Sequence, residues 1–194
     1  MEDLKIKEIY RSIEEKRILT GKISGIEDEY YKLKNEKIPC AIIWYGNVKI
    51  LIPSTHLGVD KANKTILRGM LGAEIDFIVI KIDMITNIAI ASRKDAMQLR
   101  AMIELPKIRK NDIARVRILA VGIKHILVEL YGKEIIIKAE NLQYTYIVNC
   151  KDYYTPGEYL KVRIKNIDIN MINEKSNNKN FLKYVMIKNH LEIN

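Results

Sequence analysis

The sequence predicts a mainly β protein: two five-stranded barrels joined by a short helix and preceded by an N-terminal helix. Three observations predict this class. Short apolar segments alternate with turn residues, one helical segment divides them, and the order of strands and turns recurs in the second half. The predicted parts of the 194-residue chain are an N-terminal helix at 1–17, a first barrel at 18–94, a linker helix at 95–106 and a second barrel at 107–194.

Residues 2–17 carry apolar side chains at helical spacing, with polar residues on the opposite face. From Ile18 the period changes, and Tyr45-Gly46-Asn47 is typical of a hairpin turn between two strands. The charged segment 27–37 is predicted to be a loop. The predicted strands of the first half are 19–24, 39–44, 48–53, 73–82 and 87–91. So many short strands with turns between them indicate a small barrel.

Ser92 is predicted to cap the next helix, with Asp95 as its capping-box partner and Pro106 as its end. The pattern of the first half then repeats. The predicted strands of the second half are 112–120, 126–131, 134–138, 159–168 and 182–188. The internal repeat is the strongest organisational signal in the sequence.

Both halves resemble the S1 domain, an oligonucleotide-binding barrel of ribosomal protein S1 and of many RNA-processing factors. The first half carries the resemblance in Leu19-Thr20-Gly21-Lys22-Ile23, Ile52-Pro53-Ser54-Thr55-His56-Leu57, Gly72, Ile78-Val79-Ile80-Lys81-Ile82-Asp83 and Ser92-Arg93-Lys94. The second half carries it in Gly157 and Val162-Arg163-Ile164-Lys165-Asn166-Ile167-Asp168. The resemblance implies non-catalytic binding of RNA or single-stranded nucleic acid with low sequence specificity.

The positions at which S1 domains carry RNA-gripping aromatic residues and an arginine are aliphatic in this sequence. They are Ile42, Leu51 and Ile88 in the first half, and Leu127 and Ile136 in the second. An aliphatic barrel face is typical of protein contacts. The alternative function is therefore a structural or assembly protein, for example a component of a phage or mobile-element particle, with protein partners.

The formal net charge is +9. Residues 107–194 hold 16 basic and 9 acidic side chains, a net of +7, whereas residues 1–106 hold 17 and 15, a net of +2. Basic clusters bind phosphates by releasing counterions, so the second half is the predicted nucleic-acid-binding part. The abundance of Ile, Lys and Asn is also what an AT-rich genome produces, and that leaves a basic protein without this function as an alternative.

Strand alternation places Arg115 and Arg117 on one face, where they could follow a phosphate backbone. The tyrosine-rich segment 144–159 is either a platform on which bases stack or a cover for the end of the barrel. The predicted nucleic-acid-binding residues are Trp44, Tyr45, Arg109, Arg115, Arg117, Lys138, Tyr144, Tyr146, Lys151, Tyr153, Tyr154 and Lys161.

Other classes of site lack support in the sequence. The two cysteines, Cys40 and Cys150, provide neither a disulfide framework nor a four-thiolate zinc site, and the three histidines are isolated. Asp83 and Asp168 are expected to hydrogen-bond in the turns that follow them. We therefore expect no catalysis, no metal and no cofactor. Because neither a membrane-spanning run nor a signal-peptide core is found, we expect no membrane contact and a cytoplasmic location, or a phage particle under the alternative.

Overall fold

The computed structural model describes residues 2–31, 36–58, 64–143, 145–166 and 184–186. The chain divides into two compact units, residues 1–99 and 100–194. Most of the regular structure in both units is strand, so the predicted mainly β class is confirmed.

The first unit contains five strands and its helices. Their bounds are α1 Glu2–Glu15, β1 Leu19–Tyr31, β2 Glu36–Tyr45, β3 Val48–Pro53, α2 Lys64–Gly69, β4 Glu74–Asp83, β5 Ile88–Ser92 and α3 Arg93–Glu104, the last of which crosses the division between the units. The strands form a closed ring in the order β1-β2-β3-β5-β4. All neighbours in the ring are antiparallel except β3 and β5, whose parallel pairing completes it.

The ring closes tightly because β1 carries a glycine where it faces the interior. A Cβ atom at Gly21 would lie 2.5 Å from Cγ2 of Ile43 and 3.2 Å from Cε1 of Phe77. The predicted hairpin turn is confirmed, with Gly46 at a φ of +66° between β2 and β3. Ser92 caps α3 as predicted, since its hydroxyl accepts a hydrogen bond from the Asp95 backbone N–H at 3.1 Å.

Helix α1 packs on β4 of the same unit. Ile9 and Ser12 are fully buried there, and the Ser12 hydroxyl oxygen accepts a hydrogen bond of 2.9 Å from the backbone N–H of Val79. Val79 lies at the start of a register shift between β4 and β5. The helix thereby provides a partner for a buried backbone donor at an irregular point of the ladder.

The prediction of a loop over 27–37 is wrong for residues 27–31 and 36–37, and residues 32–35 lie outside the described residues. Strand β1 continues to Tyr31 and β2 begins at Glu36, in a regular antiparallel ladder that runs from Ile26 opposite Ala41 to Tyr31 opposite Glu36. A two-stranded ladder satisfies backbone hydrogen bonds whatever the side chains are, so the high charge of this segment was a poor guide. The first unit therefore has a long hairpin at this position.

The second unit is a five-stranded sheet in the order β10-β9-β6-β7-β8. Its strands are β6 Ile113–Val121, β7 His125–Leu130, β8 Lys133–Lys138, β9 Tyr159–Asn166 and β10 Tyr184–Met186. Its core cluster includes Val116, Ile118, Val128, Ile137 and Val162. The predicted last strand spans 182–188, and β10 is the part of it that falls within the described residues. Closure of the second unit into a barrel stays a prediction.

The two units share their backbone pairing. Ile23 exchanges hydrogen bonds with Gly72 and Ala73, both of 2.9 Å, and Ile118 exchanges them with Gly157 and Glu158, both of 2.8 Å. Register shifts occur at equivalent steps, between Ile23 and Gly25 in β1 and between Ile118 and Ala120 in β6. Equivalent residues can therefore be assigned between the units strand by strand.

Candidate nucleic-acid interface

The exposed face of β6 and β9 carries a concentration of cations. Ala114, Val116, Leu160, Val162 and Ile164 pack in or against the core cluster, so the residues that alternate with them point to the other face. On that face Arg115, Lys161 and Arg163 are exposed, and Tyr159 is partly exposed. We call these four residues the strand-face patch: Arg115, Tyr159, Lys161 and Arg163.

Two contacts organise the strand-face patch. Arg115 and Lys161 are directly opposite each other in the antiparallel register of β6 and β9. The guanidinium carbon of Arg115 lies 4.0 Å from the centroid of the Tyr159 ring, which is a cation–π contact. Within the described part of the chain, neither Arg115, Lys161 nor Arg163 forms an ion pair. The patch therefore presents three uncompensated positive charges around one aromatic ring.

The equivalent face of the first unit has the opposite character. By the shared pairing of β1 with β4, Thr20 corresponds to Arg115 and Asp76 to Lys161. The Thr20 hydroxyl donates a hydrogen bond of 2.8 Å to the Asp76 carboxylate, and Asp76 is buried. The same backbone positions thus hold a hydrogen-bonded pair with a buried carboxylate in one unit and an exposed cationic pair in the other.

Arg117 differs from the exposed residue that alternation suggested. It lies on the predicted face, opposite Tyr159 and Glu129, but it is only 5% exposed. Its guanidinium nitrogen lies 3.5 Å from the Glu129 carboxylate, which is also buried. A buried arginine beside a buried carboxylate contributes little to a phosphate-binding surface, so we omit Arg117 from the proposed interface.

Two further predicted cations lie outside the strand-face patch. Arg109 is exposed before β6, where its backbone N–H donates to the Asp112 carboxylate at 2.7 Å. Lys138 is exposed at the end of β8, and its ammonium lies 3.7 Å from the Glu140 carboxylate. Such an exposed ion pair is weak, and it leaves Lys138 able to exchange partners.

The tyrosine-rich segment is divided between core and surface. Tyr154 is 7% exposed and belongs to the core cluster with Ile147 and Cys150, and burial raises the pKa of both the Tyr154 phenol and the Cys150 thiol. The burial of Tyr154 therefore favours a ring that packs in the core of the second unit over a platform on which bases stack. By contrast, Tyr146 is 81% exposed, and Tyr153 is exposed too.

A lysine contacts one of the exposed tyrosines. The Lys124 ammonium donates a hydrogen bond of 3.3 Å to the Tyr146 hydroxyl and lies 5.0 Å from its ring centroid. Lys151 is exposed two residues before Tyr153, in a short 3-10 turn where its backbone N–H donates to the Asn149 side chain. Tyr144 lies outside the described residues.

The two aromatic candidates of the first unit have different environments. Trp44 is 60% exposed near the end of β2, opposite Lys49. Tyr45 instead anchors α1: its hydroxyl donates to the Glu8 carboxylate, and the Lys5 ammonium lies 4.2 Å from its ring centroid. Tyr45 therefore stabilises the helix and is poorly placed to stack on a base.

The aliphatic residues at the positions where S1 domains carry aromatic residues differ in exposure between the two units. Ile42 and Leu51 are cross-strand partners and both are buried. Their equivalents Leu127 and Ile136 are also cross-strand partners, but Ile136 is 65% exposed. These aliphatic positions are thus buried in the first unit, whereas the second unit exposes Ile136.

Two of the exposed cations described above, Arg163 in the strand-face patch and Lys124 beside Tyr146, are absent from the residues predicted from sequence. Arg163 follows Lys161 by two positions and Tyr159 by four on the same strand, so alternation alone assigns it to the same face. Lys124 lies in the turn between β6 and β7, and only its contact with Tyr146, a residue far away in sequence, distinguishes it. No sequence pattern marks that contact.

Groups that could support other chemistry are sparse. Within the described ranges, no cluster of three or more His, Cys, Asp or Glu side chains could hold a metal ion, and Cys40 and Cys150 are both buried free thiols. No helix in these ranges has the length and apolar character needed to cross a membrane. Asp83 accepts hydrogen bonds from the Ile85 N–H and the Thr86 hydroxyl, as predicted for its turn, whereas Asp168 lies outside the described residues.

Comparisons with known proteins give weak structural likenesses. No known family matches the sequence, and no curated protein matches it. A chain of the a/eIF2alpha-aDim2p-rRNA complex from Pyrococcus horikoshii OT3 is 16% identical over 34% of this chain and 40% of that chain, with a TM-score of 0.31. A multidomain protein with nucleic acid binding domains from Streptococcus pneumoniae is 10% identical over 79% of this chain and 48% of that chain, with a TM-score of 0.37. The protein thus spans less than half the length of either matched chain.

Proposed function

We propose that this protein binds RNA or single-stranded nucleic acid without catalysis, through the strand-face patch of its second unit. The observation that carries the proposal is the register of Arg115 and Lys161, two exposed cations directly opposite each other. Like charges at opposed positions destabilise a pair of strands, so a fold keeps them at a site where an anion neutralises them. The phosphate backbone is the anion that fits a row of such cations.

The arrangement of the patch favours a chain of phosphates over a single anion. Lys161 and Arg163 are two residues apart on one strand, about 6.6 Å along it. Arg115 adds a third charge across the ladder. Contacts of this kind position a nucleic acid without reading its sequence, which supports low sequence specificity.

Exposed aromatic rings extend the proposed interface. Tyr146 and Tyr153 are exposed close to Lys124 and Lys151 in the same unit. Rings of this kind can stack on bases of a single strand whatever their identity. Trp44 is the corresponding candidate in the first unit.

Fluorescence anisotropy of a labelled 15-nucleotide poly-U RNA at several salt concentrations tests the proposal. We expect micromolar or tighter binding that weakens steeply with salt. Reversal of two charges, Arg115→Glu with Lys161→Glu, should lower the affinity at low salt. It should also reduce the salt slope by about 0.7 for each phosphate that the variant no longer neutralises.

The matched control is Lys7→Glu with Lys94→Glu, which changes the net charge equally at two exposed lysines of the first unit. This control should retain the salt slope of the unmodified protein. No binding at low salt, or an equal loss of affinity in both double variants, would overturn the proposal.

One observation favours a protein-assembly function as a second candidate. Ile136 is strongly exposed beside Leu127, at the position where RNA-binding S1 domains carry an aromatic residue. A self-associating protein would show a concentration-dependent mass in analytical ultracentrifugation, and Ile136→Lys would abolish it. A monomer at all concentrations would count against self-assembly through this face.

A further inference from the structure

We propose that the guanidinium of Arg115 stacks on an unpaired nucleobase, with Tyr159 supporting it from behind. This inference rests on the proposed function and adds a base-binding role to a residue that could otherwise act as a charge alone. The ligand would be a base of a single strand that stacks on the side of the Arg115 guanidinium facing away from Tyr159.

The contact between Arg115 and Tyr159 carries the inference. With the guanidinium carbon 4.0 Å from the ring centroid, the arginine occupies one face of the tyrosine. That face of Tyr159 is therefore closed to a base. Arg115 itself is exposed, and within the described residues its side chain contacts the Tyr159 ring without forming an ion pair. Because Arg115 is exposed and one side of its guanidinium faces the ring, we infer that the other side is open to a ligand among the described residues.

A guanidinium held in this way is suited to stacking. Arginine planes, like aromatic rings, receive unstacked bases in single-stranded RNA recognition. A flexible arginine loses side-chain freedom when it stacks, whereas one already placed over a ring has lost much of it beforehand. Lysine lacks the plane, so it can replace the charge of Arg115 but not this contact.

The neighbours of Arg115 fit a base at this point. Lys161 is directly opposite and Arg163 lies two residues further along β9, so phosphates bound there would pass beside the guanidinium. A duplex keeps its bases stacked on one another and offers none of them to Arg115. The proposed contact therefore distinguishes a single strand from a duplex and from a polyanion without bases.

The test compares Arg115→Lys with Arg11→Lys, the same exchange at an exposed arginine of the first unit, and both substitutions retain the net charge. The ligands are labelled 15-nucleotide poly-U RNA, an RNA duplex of the same length and inorganic polyphosphate as a competitor. For poly-U we expect Arg115→Lys to weaken binding about tenfold, the loss typical of one base stack, with an unchanged salt slope. For the duplex and for polyphosphate we expect a change within about twofold, because the charge is retained.

Arg11→Lys should bind all three ligands within about twofold of the unmodified protein, since it makes the same exchange outside the strand-face patch. Tyr159→Phe should preserve poly-U binding and Tyr159→Leu should reproduce the loss, with thermal unfolding confirming that each variant is folded. Equal affinities of Arg115→Lys and the unmodified protein for poly-U would overturn the stacking role alone. An equal loss on poly-U and polyphosphate would also overturn it, whereas no binding by the unmodified protein would overturn the proposed function as well.

Discussion

Arg115 on β6 lies directly opposite Lys161 on β9, so two exposed cations face each other across neighbouring strands. At the equivalent positions of the first unit, Thr20 and Asp76 form a hydrogen bond of 2.8 Å. One unit thus has a stabilising pair where the other has a repulsive one. Equivalent backbone positions of the two units therefore differ in charge.

Replacement of the cationic pair by its counterpart, Arg115→Thr with Lys161→Asp, should stabilise the second unit and abolish its binding. We expect the free energy of unfolding to rise by about 1 kcal/mol, because a like-charge pair becomes a hydrogen-bonded one. Urea unfolding measures the stability, and anisotropy with poly-U measures the affinity. A less stable variant with unchanged affinity would contradict the link between charge repulsion and binding.

Substitution of neighbouring tyrosines should separate packing from binding. Tyr154→Ala removes a buried ring of the core cluster and should lower the free energy of unfolding by about 3–5 kcal/mol. Tyr153→Ala removes an exposed ring and should change it by less than about 0.5 kcal/mol. Urea unfolding of both variants checks this contrast, and similar decreases in the two would refute the assignment.

Arg117 should prove to be a structural residue. Arg117→Met leaves Glu129 buried without its cation and should destabilise the protein by about 3–5 kcal/mol. Arg117→Met with Glu129→Leu removes both charges and should recover much of that stability. If Arg117→Met instead lowered the salt slope of RNA binding with little change in stability, Arg117 would be a phosphate contact after all.

Stability should depend on pH through Glu8 of α1. Two hydrogen bonds lower the pKa of the Glu8 carboxyl below its ordinary value of 4.5. The larger effect comes from the Tyr45 hydroxyl and the smaller one from the Lys5 ammonium. A carboxyl whose pKa is lower in the folded state stabilises the fold above its unfolded pKa. This contribution is lost as the pH falls through the folded pKa.

Tyr45→Phe removes the principal donor, so the pKa of Glu8 should rise towards 4.5 and the acid-dependent part of the stability should shrink. Carboxyl NMR titration gives the pKa, and urea unfolding across the acidic range gives the stability. Tyr10→Phe, at an exposed tyrosine of the same helix, is the control and should leave the pKa of Glu8 unchanged.

Features governed by local sequence were predictable. The Tyr45-Gly46-Asn47 turn and the Ser92 cap follow from residues that determine backbone geometry within a few positions. The predicted loop is wrong over residues 27–31 and 36–37 because side-chain charge does not exclude a strand, whereas the ladder depends on backbone groups.

For the site, the sequence predicted only the strand face on which each candidate residue lies, because strand alternation determines that face. Alternation assigned Arg115 and Arg117 to one face, but burial of Arg117 depends on its surroundings, which no local pattern reports. The adjacent tyrosines Tyr153 and Tyr154 have different environments because one packs in the core cluster and the other does not. Contact between Arg115 and Tyr159 depends on the register of two strands that are distant in sequence.

The register shift that β1 and β6 share has a consequence for how this surface can change. It fixes how β1 pairs with β2 and how β6 pairs with β7 by an irregularity of the backbone, present both at Ile23 and at Ile118. The ladders of β1 with β4 and of β6 with β9 also correspond, so a pair with a carboxylate in one unit and a cationic pair in the other occupy the same positions without any sliding of the strands. A duplicated scaffold of this kind can acquire a new ligand in one copy while the other keeps the architecture intact.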